Sequence, residues 1–264
     1  MSKFEVLFLT RDWFLNSCNQ ESRENITKVI NKAYSQVHFK YNYILSPRIK
    51  NADFLINDLE IESAKEFILY VLLGPSDVFT KWKSNGFERH FNKTLKLLDI
   101  YDSNIPNSYS ELLRIDEDDL KYSFADEKFQ FGPQTLNRVI STCGFKSSKY
   151  IEDNKELILT AFTSFMRGSA SKFLEIVINK CLFDYKKFSY FSDDDLSKIN
   201  KFIIQADVVK EHQLVDYYVK KCGFKKSSKQ DIYVSNSDDS PFHDEIHTVK
   251  PFHISFLYRE VKVE

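Results

Sequence analysis

Six glycines, six prolines and four cysteines in 264 residues leave this chain little of what builds flexible linkers, fibrous repeats or disulfide frameworks. Cys18, Cys143, Cys181 and Cys222 stand far apart without a CxxC pair, so they read as reduced structural thiols rather than as bridge or zinc ligands. An excess of charge of one sign is missing too: 37 Lys+Arg against 38 Asp+Glu give a formal −1, no field for duplex nucleic acid or an anionic membrane, and neither is an expected partner. The longest apolar run, Phe67 to Leu73, stops at Gly74, far short of the roughly 20 residues of a bilayer-spanning helix. The N-terminus lacks an apolar stretch followed by a small-residue cleavage site, which makes the cytoplasm, then the nucleus, the expected compartment.

What is abundant is apolar and aromatic: 42% hydrophobic residues, 24 of them Phe and 14 Tyr. A chain of this length and composition buries a real core as one large domain or two small ones, and the segment order favours one. Phe4 to Thr10 reads as an opening strand. Ile26, Val29, Ile30, Ala33 and Tyr34 follow the spacing of a helix with one buried face. A helical start at Ile61 to Lys65 leads into a central strand Phe67 to Leu73, with Val78 to Trp82 as its expected hairpin partner beyond Gly74-Pro75. Residues 84–153, with an acidic segment Asp116 to Asp119 and a breaker at Gly132-Pro133, read as an insertion within a single domain spanning 1–264. Strand Glu156 to Phe162, a helix with apolar stripe Ala170, Phe173, Leu174, Val177 and Cys181, a descent at Asp193 to Asp195, strand Phe202 to Val209, and helix His212 to Cys222 ending at Gly223 come next. Strands Ile232 to Val234 and His253 to Val261 close an α/β chain. Cys143-Gly-Phe-Lys-Ser-Ser-Lys149 echoes Cys222-Gly-Phe-Lys-Lys-Ser-Ser-Lys229; a duplicated half-domain is one reading, coincidence with shared helix-to-strand turn chemistry the favoured one.

The informative unit is strand Glu156 to Thr163, turn Ser164-Phe-Met-Arg-Gly168 and the helix that begins at Ser169. A turn feeding a helix start presents unpaired N–H groups and the positive end of the helix dipole, which suits a pyrophosphate. Gly168, Ser169, Ala170 and Ser171 are small enough to let it approach, and Arg167 adds a charge-assisted contact; the same residues also suit an ordinary tightly packed turn. Together with Lys210-Glu-His-Gln-Leu-Val-Asp-Tyr-Tyr-Val-Lys-Lys-Cys-Gly-Phe224, this unit resembles the GCN5-related N-acetyltransferase superfamily, more narrowly its fungal members. Gly168-Ser-Ala-Ser-Lys-Phe-Leu-Glu175 is similar to the tail of that family's acetyl-CoA loop, and His212-x-Leu-Val-x-Tyr-Tyr with Gly223-Phe224 to its last helix.

The resemblance implies a mixed, mostly antiparallel central sheet flanked by helices, and direct transfer of an acetyl or other acyl group from a CoA thioester to an amine, on a small molecule, a protein lysine or an N-terminus. It implies acetyl-CoA as co-substrate, no metal, and cofactor contacts from Thr163, Met166, Arg167, Gly168, Ser169, Ala170 and Ser171. Tyr218 is the candidate acid for the departing thiolate and Glu156 the candidate base, with Glu211 and His212 as alternatives. Each has a plain structural reading: Tyr218 as a half-buried tyrosine, Glu156 as a solvated strand-end acid, His212 as a capping residue. The polar loop Asn236 to His247 suits a cationic acceptor or plain solvation, and Lys220, Lys221, Lys225, Lys226 and Lys229 suit the CoA 3′-phosphate or a solvated helix end. Two departures stand out. Phe165 occupies a position where the family commonly has Gln or Arg, and Tyr218 lies five rather than four residues before Gly223, so either a residue is inserted near Lys220-Lys221, the favoured reading, or Val219 takes that position and Tyr218 turns about 100° away. These motivate the alternative of a GNAT-like fold without catalysis that serves as a protein-binding or scaffolding module.

Overall fold

All seven residues of Phe67–Leu73 are buried, which a strand achieves only where both faces of its sheet are covered. The computed structural model describes residues 3–91, 101–110, 113, 115–151, 153–182, 199–237, 240 and 246–263. Along them run β1 (Phe4–Thr10), α1 (Arg11–Leu15), α2 (Gln20–Tyr41), α3 (Leu55–Asp58), β2 (Phe67–Leu73), α4 (Ser76–Ser84), α5 (Asn107–Ser110), β3 (Leu120–Phe124), α6 (Pro133–Arg138), β4 (Val139–Ile151), β5 (Asn154–Ser164), α7 (Ser169–Ile176), β6 (Lys201–Val209), α8 (Leu214–Cys222), β7 (Lys225–Lys226), β8 (Ile232–Val234) and β9 (Phe252–Lys262).

The strands form a nine-stranded sheet in the order β3-β1-β2-β4-β5-β6-β9-β7, with β8 also on β9. Pairing is antiparallel except at β1/β3 and β5/β6. Period-two alternation divides the strands between two cores. Phe4, Val6 and Phe8 of β1 join Phe79, Trp82, Phe173, Leu174, Tyr218 and Cys222 on one face. Leu7 and Leu9 join Trp13, Phe14, Ile26, Val29, Ile30 and Leu55 on the other. The fold is therefore three-layered, with α4, α7 and α8 on the first face and α1, α2 and α3 on the second. Fully buried side chains such as Phe8, Phe14, Phe173 and Phe202 each contribute about 1.5–3 kcal/mol.

Four segment expectations are corrected. Val78 to Trp82 does not pair with β2 but lies in α4, because the stretch after Pro75 buries Phe79 and Trp82 at helical spacing. Ile61 to Lys65 is a turn that leads straight into β2. The stretch 84–153 is not outside the sheet: β3 forms one edge and β4 lies between β2 and β5, where Ile140, Cys143 and Phe145 reach the first core. Cys143 to Lys149 consequently runs inside β4, and only its counterpart at Gly223 is a helix-to-strand turn, so the echo has no common structural basis. The acidic run Asp193 to Asp195 and residues 238, 239 and 241–245 of the polar loop lie outside the described residues. No described helix is long and apolar enough to cross a membrane.

Candidate functional site

β5 and β6 run side by side only from Asn154–Ile158 against Lys201–Gln205; beyond that pairing their ends separate. A bulge in β5 accompanies the separation. Its register against β4 passes from Thr163 opposite Thr142 to Thr160 opposite Gly144, one residue too many on β5, and Ala161 absorbs the excess at φ +46°. The extra residue reverses the alternation: Leu157, Leu159 and Phe162 all serve the first core, while Ala161 and Phe165 serve the second. The result is a wedge, with the turn after β5 as one lip and the 3-10 turn Lys210–His212 after β6 as the other.

At the first lip, Gly168 takes φ +78° as the N-cap of α7, a conformation that favours glycine, and a Cβ there would meet nothing within 4 Å. Ser169 is buried; its hydroxyl sits 2.7 Å from both Ser141 Oγ and Ser164 Oγ, so it braces the turn rather than facing outward. The Ser169 amide donates to Met166 O and the Ser171 amide to the Tyr217 hydroxyl at 3.1 Å. The amides of Gly168 and Ala170 have no partner among the described residues and remain available to an anion. Met166, Arg167, Gly168 and Ser169 line an open cavity of about 720 Å³ that Leu113, Ile115, Asp116, Glu117 and Asp118 also border. Lys172, also in the lining, donates to Ile115 O.

The other expected residues scatter. Thr163 is buried with its hydroxyl 2.7 Å from that of Thr142, under the loop rather than in the cavity. Glu156 is buried opposite Ile203, within the paired stretch at the closed end of the wedge. Phe165 belongs to the second core, edge-on to Phe91 at 5.2 Å, and its amide and carbonyl tie the loop to Ile140 and Ile105, so this position anchors the turn. Tyr218 is 9% exposed and packs edge-on against Phe162 at 5.8 Å and Phe224 at 5.4 Å. Burial, reinforced by Tyr34 of α2, pushes its phenol well above the ordinary value and keeps it protonated. Tyr34 packs on the second face and Tyr218 on the first. His212 is buried against the end of α2, and Glu211 instead accepts from the His253 amide and faces its Nδ1 at 2.8 Å.

Sequence reasoning missed Tyr217, whose helix phase turns it about 100° from Tyr218 and onto the start of α7. α8 runs unbroken from Leu214 to Cys222. A clamp fixes α7 to α8: Arg259 of β9 donates to both oxygens of Glu175 and, at 2.8 Å, to Cys222 O. Among the described residues no group of three or more His, Cys, Asp or Glu is placed to hold a metal.

Sheet and amide-lined cavity define a mixed α/β protein with a candidate ligand site at the turn that joins β5 to α7. By sequence the chain belongs to the family described as Sporulation protein RMD6, whose model matches residues 1–261. A relative of that description from Saccharomyces cerevisiae is 25% identical over 249 residues, covering 94% of this chain and 91% of its own. Among solved structures, a dodecameric spermidine N-acetyltransferase from Vibrio cholerae aligns with a TM-score of 0.35 at 10% identity, over 97% of this chain and 93% of that one. The same organism's enzyme in complex with CoA and spermine aligns with a TM-score of 0.26 at 15% identity, over 46% of this chain and 58% of that chain's length.

Proposed function

We propose that this chain is an acyl-CoA-dependent N-acyltransferase that moves an acetyl group directly to an amine. The observation that carries the reading is the wedge: parallel strands that part at a bulge, with free amides of Gly168 and Ala170 at the mouth and a buried phenol, Tyr218, packed against Phe162 of β5. In such a frame the amides and Arg167 hold the pyrophosphate, the pantetheine arm runs into the gap, and the protonated Tyr218 donates to the departing thiolate. The amide cradle fits the cofactor, whereas Asp116, Glu117 and Asp118 repel phosphates from their own border of the cavity and confine them to the α7 side. Glu156, at the closed end of the wedge, is the less suited of the expected bases.

The bordering carboxylates and the use of Phe165 as a core anchor favour a second reading, a binding module that takes no CoA. Calorimetric titration with acetyl-CoA and with free CoA separates the two. The enzyme reading expects micromolar binding that Gly168→Trp abolishes, since the indole would fill the open space before the amides while the folded core stays intact. A folded protein that gives neither heat nor thermal shift with either ligand sinks it.

A further inference from the structure

An α-helix leaves its first amides without partners, and the residue at its N-cap ordinarily supplies a side-chain oxygen to the amide two or three positions on. Gly168 caps α7 without a side chain, and the Ser169 hydroxyl is turned inward onto Ser141, Ser164 and Met166 O. The oxygen comes instead from another helix: the Ser171 amide donates to the Tyr217 hydroxyl of α8 at 3.1 Å. Successive amides step about 100° round the start of a helix, so the first turn of α7 faces two ways. Gly168 borders the cavity beside Arg167, whereas the Ser171 amide points at α8.

A cap borrowed from a neighbouring helix can be given up where a cap on the same turn cannot. Tyr217 is only partly buried at the edge of the first core, unlike Tyr218, whose ring lies 6.1 Å away and is 9% exposed. Its departure would not part the helices, because Arg259 holds Glu175 of α7 and the Cys222 carbonyl at the end of α8 independently of it. Burial, and then the neighbouring Cys222 thiol, push the phenol above its ordinary value, so it meets the amide as a neutral acceptor. A phosphate oxygen carries charge and accepts roughly twice as strongly, so in competition the phosphate takes the amide.

We propose that Tyr217 keeps the place of a phosphate: its hydroxyl occupies the α8-side donor of the α7 loop, and the diphosphate of a CoA ester is fully engaged only when that side chain turns away. The inference rests on the acyl-transfer reading for the identity of the ligand, and on the contact between α7 and α8 for the role of Tyr217. One phosphate meets Gly168, Ala170 and Arg167 in any case, and the second has to displace the phenol. Tyr217 thereby sets the affinity for phosphate-bearing ligands without touching the thioester. The exchange swaps one hydrogen-bond acceptor for another, and the phenol keeps its proton throughout.

The test titrates wild type and Tyr217→Phe with acetyl-CoA, with inorganic pyrophosphate and with S-acetylpantetheine, which carries no phosphate, and follows the unfolding of both proteins in urea. Phenylalanine keeps the ring and removes only the oxygen. Expected are affinities for acetyl-CoA and pyrophosphate raised roughly 3- to 10-fold, no change for S-acetylpantetheine, and a lower unfolding midpoint because the Ser171 amide loses its cap. Tyr217→Met, which fills similar space without an oxygen, should repeat the gain. A merely structural cap would lower the midpoint and leave affinity unchanged or weaker; that result overturns the proposal, as does an equal gain for S-acetylpantetheine. Acetyl-CoA bound equally by both proteins removes the role of Tyr217 and spares the cofactor site. Pyrophosphate bound more tightly by the variant, with acetyl-CoA taken by neither protein, removes the acyl-transfer reading and leaves Tyr217 as the cap of a site for another diphosphate. Binding of none of the three probes by either protein removes both.

Discussion

Arg89 is a buried cation with no carboxylate beside it among the described residues. Its guanidinium donates to the carbonyls of Ser103, Asn137 and Val139 at 2.6–2.7 Å and lies 4.9 Å from the ring centre of Phe91 and 5.2 Å from that of Phe165. Burial alone brings it down to about 9, still charged at neutral pH. It therefore holds three separate chain segments together beneath the loop that follows β5, by hydrogen bonds that no apolar side chain replaces. Arg89→Met should strand those carbonyls at about 1–3 kcal/mol each, partly offset by the desolvation that the charge no longer suffers. A net loss of about 3 kcal/mol is expected in urea unfolding, and an unchanged midpoint would show that the carbonyls find other donors. Phe165 is explained by the same contact. Where a polar residue would face a ligand, this chain has a ring that covers Arg89, and nothing in the sequence links residues 89 and 165 before the fold brings them together. Tyr217 and Tyr218 show the opposite case: adjacent tyrosines on a helix must point about 100° apart, so the sequence reveals that they differ in role but not which one meets α7.

At the level of elements, the position of the site depends on how α7 and α8 begin and end. α8 stops because Gly223 adopts φ +69°, while the Phe224 amide returns to Tyr218 O at 3.1 Å. Alanine there pays the left-handed penalty of about 1 kcal/mol and sets its Cβ 3.4 Å from Arg259 Cζ, beside the clamp that joins α7 to β9. Gly223→Ala should cost about 1 kcal/mol, a fall of roughly 2–4 °C in Tm for a chain of this size; a wild-type Tm would mean that the clamp shifts without loss. This helix end was legible in advance, as were β1, β2, β5, β6, β8, β9 and the buried stripe of α2, because apolar periodicity and a terminal glycine are local signals. The bulge was not. Ala161 has no sequence mark of a left-handed residue, and its strain is sustained by pairing with β4 on one side and loss of pairing with β6 on the other, both long-range facts. β4 was missed for a similar reason: its length of 13 residues and central place depend on partners at positions 67–73 and 154–164.

The whole molecule joins its two faces where α2 meets the turn after β6, and that joint is sensitive to acid. Burial holds His38 and His212 near 4, below the 6.5 of a free imidazole. Between those limits the unfolded chain binds protons that the folded chain refuses, so folding is favoured above pH 6.5 and progressively loses that support as pH falls toward 4. Each imidazole contributes a slope of up to about 1.4 kcal/mol per pH unit in that window. The carboxylates work elsewhere or in the other direction: Glu5 and Glu211 are held below their ordinary values and weaken the fold only under stronger acid, and Asp207, raised by burial, takes up its proton more readily in the folded state. Unfolding midpoints in urea should therefore drop between pH 7 and pH 5 in the wild type, and His38→Asn combined with His212→Asn should flatten that dependence even if it lowers stability at neutral pH. An equally steep profile in the double variant would place the acid sensitivity elsewhere. A flat one would show that two buried imidazoles, forced to stay neutral where α2 meets the turn after β6, set the lower pH limit of the fold.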